Sequence, residues 1–338
     1  MSIQTKIDTI IKSVGSINMQ DFVELSNFDK TSGFYNKPNI EKIGTSGQFI
    51  TSPEISSLFS IAITNQFLKE FPKVKNVNLL ELGPGNGLLS MDIYDYLRSK
   101  NVIVNDLTVL EKSEYFREKI SEKSEVKVNF IKNIYDYKID NGDVVFIYSN
   151  EFFDAIGSKQ FIYDNGNFNE IKISKNNDEY LLIKDSTIIS RELLNIYSSY
   201  NFKDNDILEH SNLILNILSD IQKLEFKKYF FTTTDYGYTK LPFKSTLRLL
   251  SNHKKLNLFD KFENVDYSFG VNFELMNSFF LKNNPSIIYQ KDLILNNLPS
   301  EYLKSSDKNI KEMIDLISGK KFGGMGTSFL NLSFKKNE

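Results

Sequence analysis

The chain has 338 residues, 41% of them apolar, enough to fill a sizeable core and too many for a disordered polymer. Lys plus Arg number 41 against 43 Asp plus Glu, a formal charge of −2, so no global basic field exists to hold a nucleic acid. There is no cysteine, and His210 and His253 are the only histidines, which excludes disulfides, thiol catalysis and any Cys/His zinc site; a carboxylate-bound Mg²⁺ stays open, though nothing demands it.

The start, MSIQTKIDTIIKSVGSINMQDFVEL, mixes acids and bases on a helical apolar period, unlike a signal-peptide core or an Arg-rich transit peptide. No run approaches the roughly 18 to 20 apolar residues that span a bilayer. The expected home is a reducing cytoplasm, with no integral membrane segment. Residues 1–30 read as a short helical region with Ile3, Ile7, Ile10 and Ile11 on one stripe, and TSGFYNKPNIEKIGTSGQF after it reads as a loop. In TSPEISSLFSIAITNQFLKEF, Ser52 can cap, Pro53 suits the first helical position, and Ile55, Leu58, Phe59, Ala62 and Ile63 share a face. That pattern predicts one helix over about 53–71.

From 77 the pattern changes to short apolar runs alternating with helical periods: VNLLEL (77–82), a helix over 87–99, LTVLEK (107–112), a helix over 113–122, VKVNFI (126–131) and DVVFIY (143–148). Continuous apolar runs separated by helices predict parallel strands covered on both faces, a doubly wound α/β domain. QFIYDNGNFNEIKI and EYLLIK alternate instead, joined through Asn165-Gly166, a favoured hairpin turn, and read as a β insertion. A helix around 205–224 and the strand KYFFTTTDY (228–236) resume the winding, followed by SIIYQKDL (286–293) and TSFLNLSF (327–334). The expected division is a helical and loop cap over 1–75, the first part of the α/β domain over 76–157, an inserted β-hairpin and helical cap over 158–204, and the rest of the α/β domain with C-terminal loops over 205–338. The cap and the insertion are expected over the carboxyl edge of the sheet.

ELGPGNG (81–87) closes the first of these strands and opens the next helix. Glycines at 83, 85 and 87 allow a tight turn, positive φ and close approach of a ligand to bare backbone. A dinucleotide fold wants its third glycine at 88, where Leu88 stands. The pattern is acid-x-G-x-G-x-G, which resembles motif I of class I S-adenosylmethionine (SAM) methyltransferases. SAM carries a sulfonium and an ammonium and no pyrophosphate, so Glu81 suits its charge. That resemblance implies Glu111, at the end of the second strand, on the ribose hydroxyls, since a carboxylate accepts two O–H bonds at once. Asn133, after the third strand, is a candidate for the adenine edge. The competing reading of the loop is a structural strand-to-helix turn with solvated acids.

Blocks along nearly the whole chain narrow the resemblance. GFYNKPNIEKIGTSGQFITSPEISSLFS (33–60), ELGPGNGLLSMDI (81–93), SNEFFDAIGSKQF (149–161), DYGY (235–238), STLRLLSNHK (245–254), VDYSFGVNFELM (265–276) and MGTSFLNLSF (325–334) together look like the MidA-like family of SAM-dependent methyltransferases, which includes the mitochondrial complex I assembly factor. The chain departs from the family at Gln48 and Asn272, where Asp is usual, and at Ile156-Gly157, where Leu-Pro is usual. The resemblance implies a mostly parallel sheet with an antiparallel C-terminal strand. It also implies symmetric dimethylation of an arginine on a complex I core subunit, in the mitochondrial matrix for the eukaryotic relatives. A homodimer is a further candidate assembly.

SNEFFDA, after the fourth strand, supplies the acceptor-side candidates. Glu151 and Asp154 lie three residues apart, so a helical turn would aim both at one guanidinium as a fork. Asn150 would act beside the methyl group or cap the turn. The competing reading has Asn150 capping a helix whose dipole the two acids complement. Asp235 is a candidate for substrate or loop positioning or a turn-forming Asp, with Gly237 permitting a sharp turn, and His253 for a proton relay. Phe34, Tyr35, Gly44, Gly47 and Phe49 are lid candidates, while Thr51, Pro53 and Glu54 set a helix start. Two alternatives stay open: a methyltransferase for another side chain or a small molecule, and an inactive assembly chaperone with the same fold.

Overall fold

A computed structural model describes residues 1–38, 40–44, 47–139, 144–186, 191–319 and 324–337, and the backbone alone at Glu192. These residues form two compact units. The first comprises Met1–Lys37, Ala155–Leu215 and Lys240–Gly270, and the second Pro38–Asp154, Asn216–Thr239 and Val271–Glu338.

In the second unit, apolar runs fold as strands numbered in chain order: β1 (Asn76–Leu82), β2 (Ile103–Leu110), β3 (Asn129–Ile131), β4 (Val144–Asn150), β5 (Lys228–Tyr238), β6 (Ser286–Tyr289) and β7 (Phe329–Asn337). Their order is β3-β2-β1-β4-β5-β7-β6, with Val271–Asn272 also paired to β5. Pairing is parallel from β3 to β5, while β7 runs antiparallel to both its neighbours. This is the doubly wound sheet with a reversed C-terminal strand that the resemblance implies. Val77, Leu79, Phe146, Tyr148 and Phe230 bury one face against helices Leu58–Glu70 and Leu88–Ser99 through Phe59, Ile63, Phe67, Ile93 and Leu97. Phe67 stacks on Phe146 with ring centroids 4.6 Å apart.

Several boundaries differ from the periodic reading. The helix expected over 53–71 is two, Ser52–Ile55 and Leu58–Glu70, because Ser56 is extended (φ −163°) and its hydroxyl accepts the Leu58 N–H at 3.2 Å. The stretch expected as a helix around 205–224 begins with a strand, Ile207–His210, whose backbone pairs with Lys159–Asp164; the helix is Asn212–Gln222. SIIYQKDL divides into β6 and the helix Gln290–Asn297. VKVNFI contributes β3 only from Asn129, and β2 ends before Glu111. Asp143 of DVVFIY lies outside the described residues. Gly237 makes no turn: it stays in β5, where a Cβ would fall 2.3 Å from the Val271 carbonyl oxygen.

The first unit joins helices Ile3–Val14 and Met19–Phe28 to two antiparallel sheets. Ile3, Ile7 and Ile11 recur at helical spacing and are buried with Phe22, Val23, Ile173, Leu249 and Tyr267. Asn165 and Gly166 both take positive φ (48° and 82°), as the hairpin turn requires. At Gly157, where the resembling family has Pro, a Cβ would sit 2.5 Å from the Gln20 carbonyl oxygen. Asn27 is fully buried; its amide donates to the Ala155 carbonyl (3.0 Å) and the Tyr267 carbonyl (2.8 Å), and its oxygen accepts the Tyr267 N–H (3.3 Å). Asn27→Ala strands three buried backbone groups and should lower unfolding free energy by about 2 to 4 kcal/mol, as read by urea titration.

Candidate functional site

Strand order reverses between β1 and β4, and in open α/β sheets the crevice for a ligand lies at such a switch point, outside the carboxyl ends. Two loops leave those ends. From β1 comes the glycine loop, with Gly83, Gly85 and Gly87 at φ +64°, +55° and +82°. A Cβ on Gly83 would lie 2.4 Å from the Phe152 ring, and one on Gly85 2.6 Å from Ile43 Cδ1. Bare backbone here is a condition of packing, since protein side chains fill the space where those Cβ atoms would be.

Two buried carboxylates flank the loop. Glu81 accepts the Ser90 hydroxyl, which is itself 2.8 Å from the Tyr148 hydroxyl. Burial, with a smaller push from Glu111, raises Glu81 to about 8. Glu111 accepts the Ser113 N–H at 2.6 Å, and burial pushes it up to about 7. A cationic ligand carrying vicinal hydroxyls would favour the ionised form of both.

The loop leaving β4 differs from expectation. Residues 151–156 form no helix, so no helical turn aligns Glu151 with Asp154, and no helix starts there. Glu151 takes φ +50°, unusual for a residue with a Cβ, and donates its N–H to the Thr234 carbonyl at 2.9 Å. The loop is held by Asp235, fully buried in β5, whose Oδ2 accepts the N–H groups of Phe152 (3.1 Å) and Phe153 (2.9 Å) and whose Oδ1 accepts that of Tyr236 (3.0 Å). Burial and then the Glu151 charge push Asp235 well above the usual carboxylate range, against those donors. The acidic pair that the fold brings together is therefore Glu151 with Asp235. Asn150 ends β4, donates to Glu151 Oε1 at 3.1 Å, and keeps a buried Oδ1 with no hydrogen-bond partner among the described residues.

Of the lid candidates, Gly44, Gly47 and Phe49 belong to this unit. The Gly44 N–H donates to the Phe49 carbonyl (3.0 Å) and the Gln48 N–H to the Lys42 carbonyl (2.9 Å). Gly44 sits at φ +112°, and a Cβ on Gly47 would be 2.8 Å from the Lys42 carbonyl oxygen, so both glycines close this loop. Glu54 accepts from the Asn86 amide of the glycine loop, and Asn86 Oδ1 accepts the Leu88 N–H at 3.2 Å. Thr51 precedes the helix without a side-chain cap bond, and Pro53 lies in its first turn.

Phe34 and Tyr35 belong to the first unit: Phe34 is buried there, and the Tyr35 hydroxyl donates to Asp266 at 2.6 Å. His253, also in the first unit, is exposed on a hairpin turn at φ +59°. Asn133 is exposed after β3, its amide 3.2 Å from Asp136. Sequence reasoning missed Asn86 and Lys42, although both stand in quoted blocks. The flanking glycines were a signal for Asn86; nothing marks Lys42 apart from other lysines. Among the described residues no helix is long and apolar enough to cross a membrane, and no group of three or more His, Asp or Glu could hold a metal.

Residues 62–286, more than half of the chain, match the family described as "Putative S-adenosyl-L-methionine-dependent methyltransferase", and the chain belongs to it. The protein is a SAM-dependent methyltransferase. It is 25% identical over 292 residues to the Caenorhabditis elegans "Protein arginine methyltransferase NDUFAF7 homolog, mitochondrial", covering 78% of this chain and 68% of that one. With the human "Protein arginine methyltransferase NDUFAF7, mitochondrial" it shares 36% identity over 86 residues, which span only 19% of the human protein. A Burkholderia thailandensis protein crystallised with S-adenosyl-homocysteine has the same fold, with a TM-score of 0.82, 14% identity and coverage of 98% of this chain and 91% of that one.

The carboxylate that holds the β4 loop has a local readout. Asp235→Ala should raise hydrogen exchange at the Phe152 and Phe153 amides at least about tenfold while amides at the centre of β1 keep their protection, by mass spectrometry.

Proposed function

We propose that this methyltransferase modifies the guanidinium of an arginine in a protein substrate, with SAM at the glycine loop and the arginine at the β4 loop. The observation that carries the reading is the Glu151–Asp235 pair at the carboxyl ends of adjacent strands, in a loop whose Phe152 lies on Gly83. The tight positive-φ turn at Gly83, Gly85 and Gly87 would bring loop backbone close to SAM, Glu81 would meet its positive charge and Glu111 its ribose hydroxyls. The fit is supported by the bare positive-φ cradle, by two carboxylates whose ionisation a cation would restore, and by the buried unpartnered Asn150 Oδ1. SAM, when bound, supplies an electrophilic methyl group on a sulfonium.

The chain's residues would orient the acceptor and manage its charge. Glu151 would take two guanidinium N–H groups side by side, a geometry that a planar fork fits better than an ammonium does. Asp235, fully buried, would fix the loop that carries Glu151 through the Phe152 and Phe153 N–H groups. Asn150 Oδ1 would accept a further N–H. Asp154 remains a candidate second acid. The names of the relatives favour an arginine in a protein, and the resemblance to a family that includes the complex I assembly factor favours a complex I core subunit and symmetric dimethylation.

Incubation of the purified protein with SAM and that subunit, followed by peptide mass spectrometry, should show two added methyl groups on one arginine. Modification of lysine or glutamate instead would sink the arginine reading. Glu151→Gln should slow transfer by roughly 100-fold or more with S-adenosyl-homocysteine affinity held within about threefold. Equal loss of both would contradict an acceptor-side role. Affinity for S-adenosyl-homocysteine should also depend on pH. Protonated Glu111 must lose its proton before accepting two hydroxyls, so binding tightens as pH rises through about 7, and Glu111→Gln flattens the profile in calorimetry.

A further inference from the structure

The loop between Lys42 and Glu54 meets the glycine loop at two places already noted, Ile43 against Gly85 and Glu54 against Asn86. A further attachment, among the described residues, is a buried lysine. Lys42 is 1% exposed, and its ammonium lies 3.3 Å from the centroid of the Tyr115 ring while donating to the Ile40 carbonyl at 3.0 Å. Tyr115 stands in the first turn of the helix Glu114–Lys123. Ser113 caps that helix, accepting the Phe116 N–H at 3.3 Å, and donates its own N–H to Glu111.

A lysine ordinarily keeps its ammonium in water, and burying it is costly unless the fold uses it. Burial and the nearby Lys119 push Lys42 down to about 8, which shows how strongly the site opposes the charge that the ring attracts. The loop thus runs from the helix that follows Glu111 to the backbone of Gly85. Those two points are the ribose-side and loop-side contacts proposed for SAM.

We propose that residues 42–44 and 47–49 are a strap over SAM, and that Lys42 is the positioning residue that latches it to Tyr115 and so sets how long SAM stays bound. The inference rests on SAM lying at the glycine loop. A neutral side chain of similar length would fill the space without the attraction to the ring face, which is strongest for a desolvated cation. An arginine would keep the attraction, because its guanidinium also stacks on aromatic faces.

Surface plasmon resonance and calorimetry with S-adenosyl-homocysteine on the full chain test this, with Gly85→Val as the control for the site itself. Lys42→Met and Tyr115→Leu should each weaken binding about tenfold, mostly through faster dissociation. Lys42→Arg and Tyr115→Phe should stay within about threefold of the parent. In turnover, Lys42→Met should raise KM for SAM by a similar factor with little change in kcat. Unchanged binding in Lys42→Met, with binding lost in Gly85→Val, overturns the latch and leaves the site standing. Normal binding in Gly85→Val as well places SAM elsewhere and overturns the reading beneath it. If Lys42→Met does not fold, the comparison of Tyr115→Leu with Tyr115→Phe decides, since Tyr115 is half-exposed and its ring alone carries the difference.

Discussion

Gly83 has no side chain, and the Phe152 ring occupies the space where one would be. This contact joins the loop leaving β1 to the loop leaving β4, the two strands on either side of the sheet's switch point. On the reading proposed above, a methyl donor on the first loop and an acceptor on the second must meet within a few ångströms, and the Phe152 ring packed on bare backbone keeps the two loops close. A Cβ at 83 would lie 2.4 Å from the Phe152 ring, so the two loops pack in this way only with glycine there.

The same crevice stores electrostatic tension. Glu81, Glu111 and Asp235 are all buried carboxyls driven upward by loss of water. Each is partly compensated by O–H or N–H donors, which keeps it oriented. Such groups are poorly placed for an empty protein and well placed for positively charged guests. SAM carries one net positive charge at its sulfonium and, on the proposed reading, the acceptor arginine another; a site accepting both would collect acids that an ordinary core would reject.

Much of this frame was legible in the sequence. The switch from one apolar period to alternating short runs revealed the parallel strands, and glycine spacing separated this loop from a dinucleotide site. The rest depended on partners remote in the chain. Asp235 holds the Phe152 N–H from 83 residues away, so local composition left loop positioning and turn formation side by side and could not name the loop it holds. Glu151 and Asp154 looked like one face of a helix because i, i+3 spacing implies that only where a helix exists, and the Asp235 carboxylate takes the N–H groups of the intervening residues. Residues 207–210 read as helix because four residues of sheet edge leave too short an alternation to see. Lys42 was invisible since a buried and an exposed lysine share the same letter. The usual Asp at 272 is Asn here, yet Asn272 accepts the Leu275 N–H at 3.0 Å as an aspartate cap would, so that departure leaves the local fold intact.

The most direct measurement is a crystal structure with S-adenosyl-homocysteine. The account predicts the sulfur over the glycine loop, facing Asn150 and Glu151 across a gap that admits a guanidinium nitrogen at roughly 3 to 3.5 Å from a transferring methyl group, with the ribose on Glu111. A sulfur turned away from the β4 loop, or a ligand bound anywhere other than the β1–β4 crevice, would contradict it.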